Sequence, residues 1–163
     1  MNENLKKARE LLDNFTPLKT DCGWCCGAAC CRDAEGEVNG MLLFPGEEDF
    51  YEDMDGYTLQ PVPQGTLLVC SGKCVRQERP LSCRIFPLFP VIRDGQVKAV
   101  TDQRAKGICP LGRQGKSALD PEFIRRVQEV GELLAKDDIQ RQFMEDMTAE
   151  QDELRELRKK LGM

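Results

Sequence analysis

Cys22-Gly23-Trp24-Cys25-Cys26-Gly27-Ala28-Ala29-Cys30-Cys31 places five cysteines within ten residues. Four more follow at Cys70, Cys74, Cys83 and Cys109, and the 163-residue chain has no histidine. The fold depends on what these nine thiols do. In an oxidising compartment they would pair as disulfides; in a reducing cytosol thiols ligate metal or carry out redox chemistry. The leading residues Met1-Asn2-Glu3-Asn4-Leu5-Lys6-Lys7 lack the apolar run of a secretory signal, and no apolar run can span a bilayer. The expected location is therefore cytoplasmic. An odd count fits disulfides poorly, whereas eight ligands and one spare divide into two four-thiolate sites. The expectation is that metal holds the N-terminal two-thirds of the chain together.

The spacing works outward from there. Cys22-x-x-Cys25 puts two thiolates on one knuckle, within reach of one tetrahedral ion. Gly23 and Gly27 allow tight turns around it. Cys30 and Cys31 are adjacent, so their side chains are expected to diverge toward different sites or different metal atoms. Cys26 breaks the pattern and is the candidate spare thiol. A single cysteine is as easily a small buried hydrophobe, but a set this dense is not. Thr66-Leu67-Leu68-Val69 reads as a short strand delivering Cys70, and Cys70-Ser71-Gly72-Lys73-Cys74 as a second knuckle. Arg32, Lys73, Arg76, Arg79, Arg84 and Lys106 lie near the cysteines in sequence, where cations could offset thiolate charge.

The remaining chain supplies scaffolding. Leu5, Ala8, Leu11, Leu12 and Phe15 predict a helix over Asn4–Phe15, closed by Thr16-Pro17. Met41–Phe44 reads as a short strand and Glu47–Met54 as a short helix. Leu88–Val91 and Gln96–Val100, joined through Arg93-Asp94-Gly95, predict a hairpin. Gly112-Arg113-Gln114-Gly115-Lys116-Ser117 fails as a phosphate loop, because Pro110 stands where the motif's first glycine belongs, and reads as a loop. Asp120-Pro121-Glu122 starts a helix carrying Phe123, Val127, Val130 and Leu134. A second helix over Asp138–Leu161 is expected to turn Ile139, Phe143, Met147, Leu154, Leu157 and Leu161 one way. Between residues 20 and 115 the apolar core looks thin.

The fold class expected is α+β: a small, loop-rich, cysteine- and metal-organised domain with short strands and a β-hairpin, flanked by an N-terminal helix and a C-terminal helical pair. Residues 1–118 would form the metal-binding domain, with its metal core over 20–110. Residues 119–163 would form a helical segment packing on it.

Charge limits the partners. The net charge is −5, which argues against nucleic acid. Residues 33–72 hold nine acids and no Lys or Arg. They read as a solvated face, with a docking surface for a basic partner or a weak hard-cation site as the sharper alternatives. The C-terminal helices offer a second partner surface, the last two turns of the final helix reading as a short dimer seam. Neither feature fixes an oligomeric state.

The pattern Cys22-x2-Cys25-x4-Cys30-Cys31, Cys70-x3-Cys74, Arg79-Pro80-x2-Cys83-Arg84-x-Phe86-Pro87 and Cys109 resembles the CxxCxxCC (YkgJ-like) cysteine-cluster family, described as a zinc- or iron-chelating domain. The Arg79–Pro87 block is its most specific part, and the resemblance spans about residues 20 to 110. It implies Cys22, Cys25, Cys30, Cys31, Cys70, Cys74, Cys83 and Cys109 as metal ligands. This chain departs in the four-residue gap before Cys30-Cys31 and in the extra Cys26. Some relatives are linked to lysine methylation of flagellin. No Gly-rich nucleotide fingerprint accompanies that here, so the activity does not transfer.

Three readings follow. One is a metal-binding protein with zinc in closed thiolate sites. The second is an iron–sulfur protein, since soft thiolates accept both metals and Cys109-Pro110 has the Cys-Pro ending of bacterial cluster motifs, although the preceding spacing does not match. The third is an enzyme or redox protein with a cluster or free thiol as its reactive centre, acting on an unidentified substrate, a protein among the options. An interaction module using the metal core as scaffold completes the set. Without histidine, no acid–base constellation stands out.

Overall fold

The computed structural model describes residues 2–31, 40–72 and 75–162. Cys74, Lys73, Arg32, Asp33, Glu35 and Glu37 fall outside those residues. The fold is α+β, with short antiparallel strands between an N-terminal helix and C-terminal helices.

Helix α1 (Glu3–Glu10) begins at Asn2, whose side-chain oxygen accepts from Leu5 N at 2.9 Å. That is an N-cap satisfying one of the helix's orphan donors. Its buried stripe is Leu5 and Ala8, continued by Leu12. The helix ends earlier than periodicity predicts. Carbonyls of Leu12, Asp13 and Phe15 accept instead from the Arg76 guanidinium at 2.5, 2.6 and 2.5 Å. A side chain thus takes the place of the next helical turn.

Strands β1 (Gly40–Leu42), β2 (Tyr57–Val62) and β3 (Gly65–Cys70) form an antiparallel sheet in the order β1-β3-β2. The sequence reading missed β2, whose Pro61 argues against a strand. As an edge strand it tolerates a residue without an N–H. Glu48–Phe50 form only a 3-10 turn where a longer helix was expected.

Helix α3 (Leu81–Ile85) packs Leu81 and Ile85 into the core. Strands β4 (Leu88–Arg93) and β5 (Gln96–Thr101) form the expected hairpin, with Asp94 and Gly95 both at positive φ, 53° and 71°. That is the combination a two-residue hairpin turn requires. Short helices α4 (Ala105–Ile108) and α5 (Pro110–Gln114) follow, the second where a loop was expected. Helix α6 (Pro121–Leu134) is capped by Asp120, and α7 (Asp138–Lys160) by Asp137.

The hairpin is held between the two long helices. Gln128 of α6 accepts from Ala99 N and donates to Val97 O, both at 2.8 Å, along the outer edge of β5. Thr148 of α7 accepts from Ile92 N at 2.9 Å along the outer edge of β4. Pro90 on that edge has no N–H to satisfy. Both exposed ladders of a two-stranded sheet are thereby closed by side chains.

This arrangement corrects the expected face of α7. Ile139, Leu157 and Leu161 are exposed at 68, 52 and 63 %, while Gln140, Thr148 and Gln151 are buried beside Phe143, Met144 and Met147. Each buried polar side chain answers a backbone group: Gln140 donates to Pro45 O at 2.6 Å, and Gln151 accepts from Gln103 N at 2.6 Å.

The thin core expected over 20–115 is also corrected. Leu42, Phe44, Leu81, Ile85, Leu88, Phe89, Val91 and Ile92 join α1, α6 and α7 in one apolar cluster. A smaller cluster of Leu43, Tyr51 and Leu68 lies under the first sheet. No residue from Asp21 to Cys31 is buried. The interior is therefore made by apolar side chains, and the cysteine run lies outside it.

Candidate metal centre

The cysteine run folds as two tight turns. Asp21 Oδ1 accepts from Gly23 N at 2.9 Å and starts α2 (Gly23–Cys26), a single helical turn with Cys22 at its N-cap. Residues three and four apart share a helix face, so Cys22, Cys25 and Cys26 lie on one side. Gly27, left-handed at φ 61°, ends the turn. A 3-10 turn over Ala29–Cys31 follows. It brings the Cys30 and Cys31 sulfurs to 3.8 Å, so the adjacent side chains converge rather than diverge.

The other thiols arrive from three separate elements. Cys70 is the last residue of β3, Cys83 lies on α3, and Cys109 links α4 to α5. The core-facing Leu81 and Ile85 leave Cys83 to look outward from α3. All eight described cysteines, Cys22, Cys25, Cys26, Cys30, Cys31, Cys70, Cys83 and Cys109, line one cleft of about 150 Å³. None of the eight is in a disulfide. Seven were predicted as ligands from the family pattern. Cys26, read as the spare, joins them, and its position four after Cys22 was the available signal. Cys74 lies outside the described residues. Among the described residues, no three Cys, Asp or Glu side chains already meet around one point at ligand distance.

Gly72 shows why the chain after Cys70 belongs here. At φ 73°, a Cβ on it would stand 2.2 Å from the Cys31 carbonyl oxygen. Only glycine permits that approach, and it seats the turn after Cys70 directly on the end of the cysteine run.

Arg76, Arg79 and Arg84 are the cations among the described lining residues. Two of them have structural duties. Arg76 holds the end of α1, as above. Arg84, buried, donates to the carbonyls of Arg9, Gln77 and Arg79 at 3.1, 2.9 and 2.9 Å and pairs with Asp13. The Arg-Pro-x-x-Cys-Arg block thus fixes α3 against α1 while presenting Cys83 to the cleft. Arg79 faces the thiols. Lys106, on α4, does not line the cleft.

The thiols differ in acidity. The hydrogen bond shared by Cys30 and Cys31 pulls the Cys31 thiol down to about 6, with the Arg79 guanidinium assisting against burial. The same bond, together with burial, pushes Cys30 up. Burial pushes Cys22 up to about 11, with Asp21, Cys109 and Cys26 adding to it.

No protein-family model, curated protein or solved structure matches this chain. Among the described residues, no helix is long and apolar enough to cross a membrane.

Proposed function

We propose that this is a metal-binding protein that chelates zinc or iron through the cysteine thiolates of the cleft. The observation that carries the reading is that thiols from four separate parts of the chain line one cavity. Apolar packing alone gives no reason to gather cysteines there, since no residue of the cysteine run is in the core. Thiolates are the soft donors that zinc and iron–sulfur clusters take. The Cys30–Cys31 separation of 3.8 Å also suits them. With Zn–S bonds of about 2.3 Å, tetrahedral geometry sets neighbouring sulfurs about 3.8 Å apart. Arg79 supplies positive charge where thiolates accumulate. The likeness of the Arg79–Pro87 block to the cysteine-cluster family points the same way.

In zinc form the group would cross-link the cysteine run to β3, α3 and the α4–α5 junction without redox chemistry; as an iron–sulfur cluster it would also accept and donate electrons. The protein's part is to hold four segments of chain in register and to place Arg79 beside the thiols. Ligation would draw the sulfurs inward along the cleft. Anaerobic purification followed by elemental analysis and an absorption spectrum tests the reading. Bound zinc in colourless protein, or iron with sulfide and a broad visible band, is expected. Metal-free, reduced protein that takes up neither from solution would overturn it.

A further inference from the structure

We propose that the projecting end of α7, residues 153–161, pairs antiparallel with the same segment of a second copy of this chain, whether or not metal is bound in the cleft.

Helix α7 outruns the body it packs on. Its last buried residue is Gln151. Its last tie to the hairpin is the Asp152 carboxylate, which accepts from Arg93 at 2.6 Å. Helical residues 153–160 follow, a projection of about 12 Å at the usual rise per residue. Leu154, Leu157 and Leu161 share one face of it through their spacings of three and four. Leu154 is half-buried, while Leu157 and Leu161 are more than half exposed. The edge of α4 extends this surface. A Cβ on Gly107 would stand 3.8 Å from Arg158 Nη2, and the next residue, Ile108, is exposed. Apolar side chains gathered at the end of an otherwise charged helix form a patch rather than scattered exposure.

The charges around the stripe select its occupant. Glu153 lies four residues before Leu157 and Lys160 three after it, so both flank the stripe on the same side. Turned end over end about Leu157, a second α7 brings its Lys160 to Glu153 and its Glu153 to Lys160, while leucine meets leucine. Such a surface is self-complementary, as two-fold pairing of identical chains requires. Among the described residues, the ion pairs in this stretch join Asp152 to Arg93 and Arg155, and Glu156 to Lys159. Glu153 and Lys160 are left for a partner. The wider sequence repeats the pattern, with Glu150, Asp152 and Glu153 before Leu154 and Arg158, Lys159 and Lys160 before Leu161. A parallel pair would instead set the two basic last turns side by side. The contact is small beside the roughly 800 Å² per partner of a standard interface. The dimer is therefore weak, concentration-dependent and loosened by salt.

Sedimentation velocity of reduced protein over a range of concentrations, with and without chelator, tests the pairing. The mass should rise from one chain of 18.4 kDa toward twice that value, equally in both buffers and less at high salt. Leu157→Lys sets like charges against each other at the crossing point and should leave monomer throughout. Because Leu157 is exposed, this variant should keep the circular dichroism and melting temperature of the unaltered chain. Glu153→Lys and Lys160→Glu should each weaken the dimer about tenfold, and the double reversal should restore it.

A mass that stays at one chain up to the solubility limit overturns the proposal. So does a dimer that Leu157→Lys leaves intact, since it must form through another surface. A dimer that disappears with chelator is bridged by metal and refutes the helix pairing. If the double reversal fails to restore association, the antiparallel arrangement is wrong.

Discussion

Glu47 lies in an acidic stretch that reads as solvated, yet it is fully buried. Its carboxylate accepts from Arg9 at 2.7 Å and from the amides of Leu81 and Phe44 at 2.8 and 3.2 Å. Tyr51 completes the group, donating to Glu78 O at 2.6 Å. Nothing in the local sequence distinguishes Glu47 from its half-buried neighbour Glu48 or the exposed Asp49. Its partners are 38 and 34 residues away, which is why charge patterning misread it. Glu47→Ala would strand a buried guanidinium and two amides. It should cost about 3–5 kcal/mol in urea unfolding, with Glu47→Gln retaining part of the loss because it still accepts. Gly72 falls in the stretch read as a second knuckle, and the structure gives the reason for glycine there: a neighbouring carbonyl fills the space of a side chain. Gly72→Ala should destabilise by about 1–3 kcal/mol from positive φ alone, before the contact with Cys31 is counted.

The hairpin was legible from alternation and its Asp-Gly turn, because both signals are local. The helix faces were less so. Period 3.6 places Ile139 with Phe143, but the buried face of α7 follows the hydrogen-bonding needs of a strand edge instead. Thr148→Val keeps the shape and removes the acceptor of Ile92 N. It is expected to cost about 1–3 kcal/mol and to speed hydrogen exchange at the Ile92 amide; an unchanged exchange rate would show that the edge is otherwise satisfied. Gly131 of α6 poses a contest of magnitudes. Alanine usually gains about 1 kcal/mol over glycine in a helix. Here its Cβ would lie 2.5 Å from Pro90 Cβ and 2.7 Å from Val97 Cγ1. Overpacking of this kind costs about 1–3 kcal/mol, so Gly131→Ala should lower the melting temperature rather than raise it.

Across the molecule, cysteine spacing indicated which residues to gather but not what surrounds them. The eight described thiols share a cleft. The apolar interior was underestimated because its members come from short, broken segments, each too brief to show a period. If the protein holds the metal proposed above, its chelation should raise hydrogen exchange across residues 22–31 and leave the amides of α6 and β4 protected. Loss of protection throughout would mean that metal also holds the interior. Ligation needs thiolates, and the Cys22 thiol at about 11 keeps its proton at neutral pH in metal-free protein. Zinc uptake should accordingly release protons, and affinity should fall as the solution is acidified.

The position of Cys22–Cys31 outside the interior has a consequence for how the proposed metal would be handled. A fold whose interior is apolar side chains would load and unload such an ion without passing through a denatured form. Substitutions in the two regions should then add independently, since distant sites share no partners. Exchange with small-molecule thiols becomes a matter of access to one groove, at a rate set by the motion of ten residues rather than by unfolding.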